Sequence, residues 1–278
     1  MDLELTGRTA IVTGGSHGLG RATALAFADE GVRVAICGRQ GAALEAAARE
    51  IATAARPGAE VLPVVADVTR GEDLEALVTT TRDRFGSVDI VVNNADSVSH
   101  DADFFALTDE DWLERFNVKL LAAVRLARLV APGMIERRWG RILSISGGSS
   151  RRMREGGWTK GAAHAGLINL TKKLADLLGP HGITVNVVEP GDMWTDGPTR
   201  EGRSRAELRR ERLQRRADEA GVSYEVMAAR ELESLVIRRR IEPAEAAAII
   251  VFLASDRAAA ITGEVVLADG GQTRTVRY

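Results

Sequence analysis

The chain has 278 residues, 45% hydrophobic and 27% charged, the make-up of an ordinary globular protein. Its 37 Lys and Arg against 39 Asp and Glu leave a formal net charge of -2, which gives no global attraction to nucleic acid or to an anionic membrane surface. A single cysteine, Cys37, excludes an internal disulfide and fits a reducing compartment. The opening residues MDLELTGRTAIVTGG hold no basic segment followed by a long apolar run, and no stretch reaches the roughly 18 apolar residues of a membrane span. A cytoplasmic location is expected, with a small-molecule partner, no nucleic acid, no membrane contact and no metal site.

Short β-branched apolar runs alternate with longer helical patterns. Strands are predicted at Ala10–Thr13, Val32–Cys37, Val61–Val65, Ile90–Val92, Arg141–Ile145, Thr184–Val188 and Glu264–Leu267. Ala-rich helical segments lie between them at Leu44–Ile51, Leu74–Phe85, Leu120–Met134 and Ala162–Leu178. Continuous apolar strands separated by helices mean a parallel sheet covered on both faces. With right-handed crossovers this is an α/β doubly wound sheet of the Rossmann type, a three-layer α/β/α single domain over residues 1–278. No internal repeat or linker interrupts it.

The first strand leads into Thr13-Gly14-Gly15-Ser16-His17-Gly18-Leu19-Gly20. Gly14, Gly18 and Gly20 sit where a strand turns into a helix. They permit the tight turn and let the backbone approach a pyrophosphate, whose charge the helix N-terminus favours. At the end of the second strand an acidic residue would bind the ribose hydroxyls of NAD, whereas Arg accommodates the 2′-phosphate of NADP. The chain has Gly38-Arg39 there with no acid following, so NADP is expected over NAD. Residues 197–240, dense in Arg and Glu, interrupt the alternation after the sixth strand. A solvated amphipathic helix pair would account for them.

The glycine loop, Asn93-Asn94-Ala95 after the fourth strand and Pro190-Gly191 after the sixth together resemble the short-chain dehydrogenase/reductase family, over essentially the whole chain. The resemblance implies a nucleotide site of Gly14, Ser16, His17, Gly18, Leu19, Gly20, Arg39, Asp67, Val68, Asn94, Ala95, His164, Pro190, Gly191 and Thr195. His17 stands where related NADP enzymes often carry a basic residue. Asp67 matches the residue that contacts the adenine amino group, although it could equally cap the following helix. Asn93 and Asn94 match the loop that braces the sheet beside the cofactor, and Thr195 matches the threonine that contacts the carboxamide. Where the family then usually has Gly this chain has Asp96, a carboxylate near the nicotinamide end. The segment 197–240 falls where the family carries a mobile lid, and is read as a helical lid insertion over the substrate. The resemblance also implies a homo-oligomer, a tetramer or a dimer. Helices beginning near Asp111 and Gly161 would form one interface, and Ile261–Gln272 lies in the region of another.

In that family hydride passes from nicotinamide to a carbonyl while a Tyr donates the proton. A Lys four residues on supports the Tyr and holds the ribose, a Ser orients the carbonyl, and an Asn on the preceding helix anchors a water. The helix sequence AGLINLTKKLA from Ala165 and the strand sequence GRILSISG ending at Gly147 fix the register from both sides. They place Lys160 at Tyr, His164 at Lys and Gly147 at Ser, so Lys160-x-x-x-His164 replaces Tyr-x-x-x-Lys. The two tyrosines, Tyr224 and Tyr278, lie far from this helix in sequence. Asn117 alone retains its family role.

Lys160 and His164, at i and i+4, share one helix face. His164 keeps a hydrogen bond to the ribose in this reading, and Lys160 replaces Tyr as proton donor. A lysine gives up its proton more readily when desolvated or beside another cation; oxidised nicotinamide or a protonated His164 would be that cation, with Asp96 setting the balance. A solvated Lys160 and a packed His164 on a degenerate site are the alternative. Ser149 could take over carbonyl orientation or simply serve the turn. Arg151, Arg152 and Arg154 suggest a carboxylate or phosphate on the substrate, unless they pair with acids such as Glu155. Trp158 packs on cofactor or substrate, or else on an interface. The expected function is that of an atypical NADP-dependent oxidoreductase, of ketoreductase or alcohol dehydrogenase type, acting on a carbonyl or hydroxyl of a small molecule that is anionic if these arginines bind it. Two readings stay open beside it: a non-redox lyase, isomerase or dehydratase on the same scaffold, and a non-catalytic NADP-binding protein.

Overall fold

The computed structural model describes residues 2–97, 103–151, 157–191, 193, 195, 205–233 and 235–273. Its strands are β1 (Thr9–Thr13), β2 (Arg33–Gly38), β3 (Val61–Val65), β4 (Ile90–Asn93), β5 (Gly140–Ile145), β6 (Ile183–Pro190) and β7 (Val265–Ala268). They form one seven-stranded sheet in the order β3-β2-β1-β4-β5-β6-β7, and every adjacent pair is parallel. All seven strands predicted from the sequence are present, within a residue or two at each end. They were legible because a strand buried on both faces reads as an unbroken apolar run.

The period of two divides those runs between two cores. Ala10 and Val12 of β1, with Val34 and Ile36 of β2, face α1 (Gly18–Asp29), α2 (Gly41–Ala54) and α9 (Pro243–Ala254). Ile11 and Ala35 point the other way, towards α3 (Gly71–Phe85), α5 (Ala122–Arg137) and α6 (Trp158–Leu178). Fully buried side chains such as Phe27, Leu126 and Ile142 contribute about 1.5–3 kcal/mol each to holding these layers. The strand order reverses between β1 and β4. A crevice opens there beyond the C-terminal strand ends, the usual ligand position in this architecture.

Two helices depart from the sequence expectation. The helix predicted at Leu120–Met134 begins earlier, as α4 (Asp109–Phe116), where Thr108 and Asp111 form a reciprocal capping box. A π-helical turn, Asn117–Leu121, joins α4 to α5. The second, α9, was not predicted: PAEAAAIIVFLA is apolar almost all round because it lies between the sheet and α1, and it shows no stripe to read.

Beyond β6, α7 (Arg205–Glu219) and α8 (Tyr224–Glu233) pack on each other through Leu213, Ala217 and Met227. Of the expected lid insertion, residues 197–204 and 234 lie outside the described residues. Among the described residues no helix is long and apolar enough to cross a membrane.

Candidate active site

A cavity of about 1720 Å³ runs through this crevice. The whole nucleotide set predicted from the sequence, from Gly14 to Thr195, lines it. At its floor α1 begins at Gly18 with no side-chain cap from His17 and no acidic residue in its first turn, an N-terminus whose N–H groups favour an anion. Gly14 holds φ +66°, a left-handed conformation that glycine adopts at little cost. A Cβ on Gly20 would overlap the Gly14 carbonyl oxygen and come within 2.6 Å of Asn94 Nδ2. These residues form a cradle that fits a dinucleotide pyrophosphate.

Asn94 ties that cradle to the sheet. Its amide donates to the carbonyls of Thr13 (2.9 Å) and Gly14 (3.2 Å). The Thr13 hydroxyl in turn accepts from the backbone N–H groups of Asn94 and Ala95, both at 3.0 Å.

At the adenosine end Arg39 is exposed and lines the cavity beside Gly38, Gln40 and Thr69. Asp67 does not cap α3, whose N-cap is Arg70. Its carboxylate instead accepts from the Thr69 N–H (2.9 Å) and hydroxyl (2.8 Å), closing a turn ahead of that helix. Burial opposes its charge, but the Thr69 hydrogen bonds and the Arg39 and Arg70 guanidinium groups prevail, and its pKa lies below the ordinary value. Cys37 lines the wall nearby, and burial pushes its thiol up to about 12, which keeps it unreactive.

At the other end Asp96 forms the centre of a charged cluster. Arg115 Nη1 donates to its Oδ1 at 2.6 Å and to the Ser97 carbonyl at 2.8 Å. Lys160 Nζ stands 3.8 Å from Oδ2. Lys119, buried on the π-helical turn, donates to the Ala95 carbonyl at 3.2 Å. Burial alone would raise the Asp96 pKa, but Lys119, Lys160 and Arg115 outweigh it and hold the carboxyl well below its usual range.

His164 is 1% exposed, with Nδ1 3.3 Å from Ser149 Oγ and Nε2 buried without a partner among the described residues. Burial, then Lys119, lower its pKa to about 3. His164 is therefore neutral, and the expectation that a protonated His164 supplies a cation beside Lys160 is corrected: the cations grouped around Asp96 are Lys119 and Arg115. Gly147 and His164 are also matched in shape, since a Cβ on Gly147 would sit 3.2 Å from His164 Cε1.

This buried neutral imidazole makes folding sensitive to acid. Between its ordinary value of 6.5 and its folded value of about 3, the unfolded chain binds the extra proton and the folded chain does not, so stability is full above 6.5 and falls below it. Asp96, also depressed when folded, loses its contribution as the pH drops further through its own range. From about pH 6.5 to about pH 5, His164 alone is expected to remove about 2 kcal/mol. The fall is read from Tm against pH, and His164→Gln should flatten it; an unchanged slope would count against a neutral buried His164.

Lys160, His164, Asn117, Ser149 and Asp96 all line the one cavity. Trp158 does not; 49% exposed, it meets Phe104 edge-on with ring centroids 5.3 Å apart. Arg151 lies 3.8 Å from Glu189, the kind of acidic pairing left open for this loop. Arg152, Arg154 and Glu155 lie outside the described residues.

Residues 8–205 match the family described as short chain dehydrogenase. The chain belongs to this family. Residues 216–273 also match one described as Enoyl-(Acyl carrier protein) reductase. This family member is 32% identical over 268 residues to a 3-oxoacyl-(acyl-carrier-protein) reductase of Synechocystis sp., covering 96% of its own length and 97% of that protein. It is 31% identical over 269 residues to the corresponding reductase of Thermotoga maritima, covering 97% and 99%. Among solved structures, L-sorbose reductase from Gluconobacter frateurii, complexed with NADPH and L-sorbose, shares the fold with a TM-score of 0.86 at 30% identity, over 99% of this chain and 100% of that one. Levodione reductase does so with a TM-score of 0.85 at 29% identity, over 98% and 99%.

Three elements of the site escaped the sequence reading. Thr13 stands in the sequence only as part of the glycine loop, yet its hydroxyl joins two strands. Arg115 and Lys119 carry no motif; Arg115 meets Asp96 from the last turn of α4, and Lys119 lies on the π-helical turn that follows. The arginines of α7 and α8 show in the sequence only as a charge-rich segment, and the fold turns five of them to the cavity.

Proposed function

We propose that this chain is an NADP-dependent oxidoreductase that transfers hydride between nicotinamide and a carbonyl or hydroxyl carbon, with Lys160 as the proton donor. The observation that carries the reading is one continuous cavity that joins the pyrophosphate cradle and Arg39 to the Lys160–Asp96 pair. The reductases to which the chain is similar, two of them 31–32% identical over nearly its whole length, support the same chemistry.

When bound, the nicotinamide supplies or takes the hydride. The chain's residues do the rest. The cradle at Gly14–Gly20 holds the pyrophosphate, and Arg39 the 2′-phosphate. In this reading, which rests on the residue order on either side, Lys160 takes the family's Tyr position, His164 its Lys and Gly147 its Ser. Lys160 holds its proton against Asp96 Oδ2, while Arg115 occupies Oδ1 and fixes the carboxylate. On carbonyl reduction the ammonium gives that proton to the developing alkoxide and is reprotonated from solvent; on oxidation the direction reverses. Ser149 orients the carbonyl. The partnerless Nε2 of His164 is left for a ribose hydroxyl, and α7 and α8 serve as the lid.

Exposed Leu113, Leu121 and Leu177 on α4, the following turn and α6 supply an apolar surface for the homo-oligomer. A second reading, proton transfer without redox, is favoured by the charged cluster alone, since acid and base groups around Asp96 need no hydride. Loss of reduced-nicotinamide absorbance on mixing the protein with NADPH and small aldehydes or ketones tests the first reading; product without that loss supports the second.

Arg39→Glu is expected to weaken NADPH binding roughly 10- to 100-fold, by removing a charge-assisted contact and adding repulsion, while NADH binding holds or improves. Fluorescence titration with both nucleotides measures it, and equal losses for the two would contradict the assignment.

A further inference from the structure

Five arginines of α7 and α8, namely Arg209, Arg212, Arg215, Arg216 and Arg230, line the same cavity as the nucleotide cleft. Those two helices add only Glu219 and Glu231 as acids to that wall. Arg209, Arg212 and Arg216 are three and four residues apart and share one helix face. Leu213 and Ala217, each one place further on, form the seam against Met227.

Part of this charge is consumed within the protein. Arg209 (3.2 Å), Arg216 (3.9 Å) and Arg240 (2.5 Å) converge on the carboxylate of Glu231, which is only 12% exposed. Arg212, Arg215 and Arg230 have no acidic side chain within salt-bridge reach among the described residues. The Nε of Arg212, like those of Arg209 and Arg240, is buried with no hydrogen-bond partner among the described residues. A buried guanidinium N–H left unmet is costly, and a planar fork of donors suits a phosphate more than any other common group.

We propose that Arg212, Arg215 and Arg230 form a binding site for a phosphate group carried by the substrate, which makes the substrate class a phosphorylated carbonyl compound or its alcohol. The proposal rests on the oxidoreductase reading for the carbonyl and on these three arginines for the phosphate. NADP carries phosphates of the same chemistry, but the N-terminus of α1 and Arg39 already provide for those. The lid arginines are the cations left over.

The test uses the full chain saturated with NADP and titrated calorimetrically with phenyl phosphate. The expected result is binding in the presence of the nucleotide, weakened roughly tenfold by Arg212→Gln and again by Arg230→Gln, with the affinity for NADP unchanged. Arg215→Gln, at an exposed position, gives the same direction without touching the apolar seam. The proposal is overturned if saturated protein does not bind phenyl phosphate, if the variants bind it as tightly, or if they lose NADP affinity in parallel, which would assign the arginines to the cofactor. No turnover enters the measurement, so its outcome is separate from that of the oxidoreductase reading.

Discussion

Lys160→Ala is expected to lower kcat by roughly 10²- to 10⁴-fold, the range by which positioned proton donors accelerate reactions, while leaving NADPH affinity essentially intact. Lys160 lies at the cavity surface on α6, with 35% of its side chain exposed and an ion pair to Asp96 at 3.8 Å. Its removal costs little packing. Asp96 stays paired with Arg115 at 2.6 Å, so the cluster does not collapse. The effect should therefore fall on the chemical step, with similar losses in kcat and kcat/KM. A variant that turns over at the wild-type rate would leave Lys160 a solvated side chain and pass the proton to another group.

Gly20→Val acts at the opposite end and by sterics. The added Cβ would overlap the Gly14 carbonyl oxygen and press on Asn94 Nδ2, and both belong to the rigid frame that shapes the loop. Backbone must move, because neither atom is the free end of a flexible side chain. Overpacking of this kind costs about 1–3 kcal/mol of stability. It also displaces the N–H groups that meet the pyrophosphate, and NADPH affinity is expected to fall by at least about a hundredfold, close to 3 kcal/mol. Equilibrium titration with NADPH, beside a thermal melt to show that the variant is folded, checks both effects. Unaltered affinity would mean that the phosphates lie elsewhere.

These two predictions rest on different parts of the sequence, and the difference explains what could be read in advance. The Gly14–Gly20 loop is local: one strand, one turn and one helix start carry the whole device, so residue order alone displays it. Strands β1 to β7 were legible for the same reason, each being a short apolar run between punctuating residues. The cluster around Asp96 is not local. Arg115 approaches it from the end of α4 and Lys119 from the π-helical turn that follows, where the 3.6-residue period breaks and the side chains that share a face change.

The neutrality of His164 was hidden too, because burial sets it, and burial is a property of the packed layers. The role of Glu231 was equally invisible. In sequence it is one acid in a charged stretch, and only the packing of α7 on α8 brings Arg209 and Arg216 to it.

In the proposed reaction hydride moves through this cavity and Lys160 supplies the accompanying proton. It is tested most directly by giving the protein NADPH deuterated at the reactive face of nicotinamide C4 with a panel of small carbonyl compounds and their phosphorylated analogues. The result predicted is an alcohol bearing deuterium on its carbinol carbon, formed mole for mole with oxidised nucleotide, and formed far more slowly by Lys160→Ala. A product without deuterium, released while the absorbance of the reduced nicotinamide stays constant, would contradict it.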